Sequence, residues 1–150
     1  STTVESGTST AIMEKQQPEP RVVVHTLEVS EAPHPVIPAD RKDCLREGKK
    51  RMDIGDYAAA HELFLAALAK KEDDPETLCC LGKSSFGNRD NEQAILFFKN
   101  AIARNPRFAE AHYRLGDVYL AMGDLVQAMK NHKMAIKLNP VYSRMARAYY

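Results

Sequence analysis

The chain has 150 residues, 27% of them charged, and a net charge of +1, so neither nucleic acid nor an anionic membrane is expected as a general partner. No apolar run is long enough to span a bilayer, and no basic-then-apolar leader opens the sequence. Three cysteines, two of them adjacent at Cys79 and Cys80, make no disulfide framework, and a cytoplasmic setting is the simplest expectation.

Residues 1–20 are rich in Ser, Thr, Glu, Gln and Pro. Their apolar content is too small to offset the entropy of ordering, so this stretch is expected to be disordered. Residues 21–30 differ: Val22, Val23, Val24, Leu27 and Val29 favour extended structure. They read as a sticky part of a disordered arm, or as a short linear motif that docks on a partner or in a groove of this or another copy. Residues 31–40 contain Pro33, Pro35 and Pro38 and predict a stiff, extended linker. The arm and linker together occupy residues 1–40.

From residue 41 onward the apolar spacing becomes helical. Helices are predicted over 41–54, 57–71, 75–87, 91–104, 109–122 and 125–138, with a seventh from about 142 to 150. Asp40 is placed to cap the first, with Asp43 in its first turn. Gly123 suits the left-handed residue that closes a helix, and Asp124 with Gln127 forms a capping-box pattern for the next.

These helices come in pairs at a fixed interval of 34 residues. Gly48, Gly82 and Gly116 share that register, as do Asp56, Asp90 and Asp124. So do Ala60, Ala94 and Ala128, and then Ala67, Ala101 and Ala135. Phe64, Phe98 and His132 occupy one further position, and Leu68, Ile102 and Ile136 another; Pro106 and Pro140 close the last two units. A fixed period with small residues at helix crossings predicts an all-α solenoid of helix–turn–helix hairpins, each burying its apolar face only against its neighbours.

The pattern resembles the tetratricopeptide repeat (TPR). It covers three repeats at about 41–74, 75–108 and 109–142, followed by a helix over 142–150 that caps the solenoid or begins a further repeat. The resemblance implies a right-handed solenoid forming a TPR domain over 41–150. Departures concentrate in the first repeat: Glu47 and Arg51 replace the apolar or small residues found later, and Glu72 replaces the closing proline. Glu47 and Arg51 lie four apart and are expected to pair on an exposed helix face. Cys44, Leu78 and His112 stand where the family commonly has tryptophan.

The sequence has no glycine-rich phosphate loop, nucleophile elbow, CxxC or HExxH, so no enzyme activity and no cofactor are expected. His112 and His132 lie on the two helices of one hairpin, but a metal site needs further ligands, and both read as core residues. Cys79 and Cys80 read as small buried hydrophobes rather than reactive thiols.

Binding remains. The resemblance implies that the first helix of each hairpin lines a concave surface. The expected groove comprises Lys42, Leu45, Arg46, Lys49 and Met52 from the first repeat. The second contributes Cys79, Lys83 and Phe86, together with Glu76, and the third Tyr113, Arg114, Asp117 and Leu120. Basic residues beside aromatic ones suit an acidic protein or peptide partner. One subclass of the family grips the carboxylate end of a chaperone. Its five clamp positions correspond here to Leu45, Lys49, Cys80, Glu110 and Arg114, of which only Arg114 matches the clamp pattern, so that specialisation is disfavoured. The function expected is a protein-interaction scaffold or adaptor. Alternatives are a non-catalytic module of a larger enzyme or signalling protein, and self-association through the solenoid faces or the arm.

Overall fold

A computed structural model describes residues 33–150, of which Pro35–Tyr150 form one compact unit. The expectations for residues 1–32, including the Val-rich segment 22–29, lie outside the described residues.

Seven helices occur in order: α1 (Arg41–Asp53), α2 (Tyr57–Lys70), α3 (Pro75–Gly87), α4 (Asn91–Arg104), α5 (Ala109–Ala121), α6 (Leu125–Leu138) and α7 (Val141–Ala146). The first six match the expected spans to within one residue at each end. The seventh is shorter than expected, ending at Ala146 rather than continuing to residue 150. No strand occurs among the described residues.

Local sequence sets the helix ends. Asp40, Asp56, Asp74, Asp90 and Asp124 each cap a helix by accepting a backbone N–H in its first turn. The turns inside the hairpins place Gly55, Arg89 and Gly123 at φ of 81°, 64° and 84°. Two of the three are glycine because a Cβ is disfavoured in that left-handed conformation, and Arg89 bears the strain in the middle repeat. Helices α5 and α7 have no side-chain cap; in the loops ahead of them Asn105 and Asn139 form Asx turns instead, each side-chain oxygen accepting the backbone N–H two residues on, at 3.1 Å.

The two helices of a hairpin cross at the repeated glycine. A Cβ on Gly48 would lie 2.4 Å from the Phe64 ring, on Gly82 2.6 Å from the Phe98 ring, and on Gly116 2.4 Å from the His132 ring. The 34-residue coincidence of Gly with Phe, Phe and His is therefore a contact inside each repeat. Above these crossings the core runs as a series of clusters. Cys44, Leu45, Phe64 and Leu81 join repeats one and two, and Leu78, Phe98, Leu115 and Val118 join two and three. Tyr113, Ala135 and Ala146, with Ile136 and Tyr142 against them, join repeat three to α7.

Charges reinforce the stack. Lys49 reaches Glu76 at 2.9 Å, Lys83 reaches Glu110 at 3.0 Å and Arg104 reaches Asp73 at 3.2 Å, each bridging consecutive repeats, and Arg41 reaches Asp74, the cap of α3, at 3.0 Å. The expected Glu47–Arg51 pair does not form. Glu47 accepts from Lys50 at 3.2 Å, and Arg51 turns to Asp56 at 3.4 Å, where the N-cap carboxylate at the hairpin turn offers a closer partner.

Asp74 combines several roles. It is buried, accepts from the Thr77 backbone N–H at 3.2 Å and from Thr77 Oγ1 at 2.6 Å, and pairs with Arg41. Asp74→Ala removes a cap and leaves Thr77 and Arg41 without their acceptor, so thermal melting should show a loss of about 2–4 kcal/mol. Asp40→Ala, at an exposed cap, should cost about 0.5–1 kcal/mol in the same assay.

A candidate peptide groove on the concave face

The first helices α1, α3 and α5 stand side by side, and a pocket of about 530 Å³ opens between them. Lys49 and Met52 come from α1, Cys80, Lys83 and Phe86 from α3, and Arg114 from α5. Helical periodicity accounts for the selection, because Lys49 with Met52 and Lys83 with Phe86 are spaced three apart and so share one face. Tyr57 and Asp53, beside the first hairpin turn, complete one wall. Neither is expected from the sequence. Tyr57 belongs to a second helix and reaches the pocket only because Gly87 leaves room: a Cβ there would stand 2.4 Å from the tyrosine ring.

Several expected groove residues lie elsewhere. Leu45 and Cys79 are buried in the inter-repeat core. Tyr113 is only 2% exposed, stacked against Tyr142 at 4.9 Å and beside His132 at 4.8 Å. Its position in the repeat faces the next first helix, and α7 fills that place. Lys42 and Arg46 line a separate shallow hollow at the first-repeat end, with Leu45 and Glu76. Asp117 accepts from His132 Nε2 at 3.0 Å and is mostly covered, while Leu120 is half-buried.

The basic flank is compensated rather than bare. Lys49 is held by Glu76, whose hydrogen bond is the main reason that the ammonium pKa stands above its usual value. Glu110 sits between Lys83 at 3.0 Å and Arg114 at 3.6 Å, and Arg114 also approaches Asp117 at 3.8 Å. Arg46 pairs with Asp43 on its own helix. Both partners of the Lys49–Glu76 pair are about half exposed, at 50% and 52%, so the pair contributes no more than about 1 kcal/mol and exchanges readily for an outside carboxylate.

The thiols and imidazoles behave as core groups. Burial pushes Cys80 up to about 11 and Cys79 higher still, so both stay protonated at neutral pH. His112 Nε2 lies 2.9 Å from the Pro106 carbonyl, and His132 bridges Asp117 and the Tyr150 hydroxyl at 3.0 and 2.8 Å. Among the described residues no group of three His, Cys, Asp or Glu side chains could hold a metal ion, and no helix is long and apolar enough to cross a membrane.

A family model described as Tetratricopeptide repeat matches residues 85–149. Among solved structures, MamA is 31% identical, with a TM-score of 0.62 over 67% of this chain and 59% of the MamA chain; this chain thus spans about three fifths of that relative. The Sgt2 TPR domain from Aspergillus fumigatus is 21% identical, with a TM-score of 0.65 over 70% of each chain. The first TPR of Spaghetti (RPAP3), solved bound to the HSP90 peptide SRMEEVD, is 19% identical, with a TM-score of 0.66 over 72% of this chain and 88% of that one. Together with the 34-residue register and the stacked hairpins, these matches make the chain a tetratricopeptide repeat protein with three repeats.

Proposed function

We propose that the concave face binds a peptide segment of a partner protein in which an apolar side chain is flanked by carboxylates. The observation that carries this reading is the pocket itself, where Lys49, Lys83 and Arg114 surround an apolar floor of Met52, Tyr57 and Phe86. A ligand carboxylate would take the place of Glu76, at small cost for so exposed a pair, while an apolar side chain enters between Met52 and Phe86. The Spaghetti (RPAP3) domain, of similar fold, holds a short acidic peptide, which supports the same class of ligand here. The chaperone-tail clamp is not part of the proposal, because Leu45 and Cys80 are buried and Glu110 would face the ligand carboxylate. The chain acts in this reading as a non-catalytic scaffold or adaptor.

An array of peptides, each with one apolar residue between Asp or Glu and each paired with its Asn or Gln analogue, tests the reading. The acidic members should bind more tightly, and their advantage should shrink with salt. Against the tightest member, Phe86→Ala should speed dissociation about tenfold, as loss of an aromatic anchor does. Glu110→Gln should tighten binding several-fold, because it frees Lys83 and Arg114. Lys99→Glu, on the second helix of its repeat, should change little. No preference for acidic peptides, or loss of binding with Lys99→Glu but not with Phe86→Ala, would overturn the proposal.

A further inference from the structure

The charges that line the concave pocket are not equally engaged. Lys49, Lys83 and Arg114 each reach a carboxylate, at 2.9, 3.0 and 3.6 Å. Asp53, the remaining charged residue of the lining, is exposed, and its side chain enters no ion pair or hydrogen bond among the described residues. The cations nearest to it in sequence are committed elsewhere, Lys50 to Glu47 at 3.2 Å and Arg51 to Asp56 at 3.4 Å. Asp53 is also the last residue of α1, where the helix dipole favours a cation and disfavours a carboxylate. The same position holds Gly87 and Ala121 in the later repeats, so the repeat itself does not require an acid here.

What surrounds Asp53 suits a positive charge. Helix α1 ends at Asp53 and α3 at Gly87, both in the pocket lining, so two helices turn their negative ends to this part of the groove. The positive start of α2 is close by in the chain, but Asp56 caps it through the Ala59 N–H at 3.3 Å. Tyr57 and Phe86, both half-buried, line the same pocket, and aromatic faces attract an ammonium or guanidinium group. Lys49 and Asp53 lie four residues apart on α1, which separates the basic and acidic parts of the pocket by about 6 Å along the helix. We infer that the pocket is dipolar: Asp53, Tyr57 and Phe86 form a subsite for a lysine or arginine that lies beyond the carboxylates and apolar anchor of the same ligand segment. This subsite rests on the concave-groove reading and narrows the partner to a segment of mixed charge. Its acidic part faces Lys49, Lys83 and Arg114, and its basic residue faces the first hairpin turn. A purely acidic segment would instead bring a carboxylate against Asp53.

Four fluorescently labelled peptides on one frame, titrated into the full chain, test the subsite. Each has a central leucine with Glu or Gln on both sides of it, and Lys or Gln at the next position outward on both sides. The Lys-ended peptides should bind about fivefold more tightly than their Gln-ended counterparts, whichever residue flanks the leucine. Asp53→Asn should erase that advantage and leave the Gln-ended peptides unchanged. It should not lower the melting temperature, since it removes a carboxylate from the negative end of α1. Glu72→Gln, an equal change of charge at an exposed position in the loop between α2 and α3, should leave the advantage intact. The two readings fail separately. Equal binding of the Glu and Gln flanks, with the Lys advantage kept, counts against the acidic preference of the groove and supports the cation subsite. Equal binding of the Lys and Gln ends, or no binding by any Lys-ended peptide, overturns the subsite. So does a Lys advantage that survives Asp53→Asn, and so does one that Glu72→Gln removes as well, because that outcome reduces it to general charge attraction.

Discussion

Gly82→Leu should unfold the domain or lower its stability by at least about 3 kcal/mol. Even a single Cβ at this position lies 2.6 Å from the Phe98 ring, and Phe98 is itself 1% exposed, packed in the core cluster with Leu78 and Leu115. Overpacking of this kind costs roughly 1–3 kcal/mol when side chains can adjust, and more when a whole helix must move. The crossing sits in the middle repeat, so separating α3 from α4 disturbs the clusters on both sides. For a domain of this size each kcal/mol shifts the melting temperature by roughly 4–8 °C, so circular dichroism melts should show a large drop. Pairing the substitution with Phe98→Ala should cost much less than the sum of the two single changes, because the smaller side chain vacates the place that leucine needs. Simple additivity would place the damage somewhere other than this crossing. The outward alanine Ala58 is an exposed control, and Ala58→Leu should leave the melt nearly unchanged.

Tyr113→Ala should act as a core deletion and not as a binding mutation. Removing a large buried aromatic side chain costs roughly 3–5 kcal/mol through lost burial and the cavity left behind. Here the ring holds Tyr142 at 4.9 Å and His132 at 4.8 Å, so its loss also loosens α7 from the third repeat. Burial, together with the hydroxyl of Tyr149, raises the Tyr113 phenol well above its ordinary pKa. Ultraviolet titration of the folded protein should therefore find this tyrosine resisting ionisation into strongly alkaline solution. Amide exchange should be faster across 141–146 in the alanine variant, while exchange in α1 and α2 changes less. A variant with an unchanged melt and a weakened peptide affinity would return Tyr113 to the groove.

Tyr113 also shows where periodicity stops being informative. Helical spacing places it on the same stripe as Asp117 and Leu120, but a stripe has no depth. In a solenoid one position of the first helix faces the next first helix, and whether that position is open depends on which element packs beside it. Leu45 and Cys79 share its fate because α3 and α5 pack over them. Tyr57 escapes a reading of the sequence for the opposite reason: it starts a second helix, and only the missing side chain of Gly87 lets its ring enter the concave side. The charges obey the same logic. Lys49 and Lys83 are basic by residue type alone, yet Glu76 and Glu110 lie 27 residues further on, one step of the stack away, and compensate them.

The sequence by itself determined the helices, their ends and the register. Those features depend on local physics: apolar spacing, aspartate caps, glycine at left-handed turns, and a 34-residue recurrence of small residues opposite large ones. The tertiary structure decided which members of each stripe are buried, which cations are already paired, and that Tyr57 of a second helix reaches the concave pocket. Exposure and ion pairing depend on distances between residues far apart in the chain, and those distances exist only once the repeats are stacked.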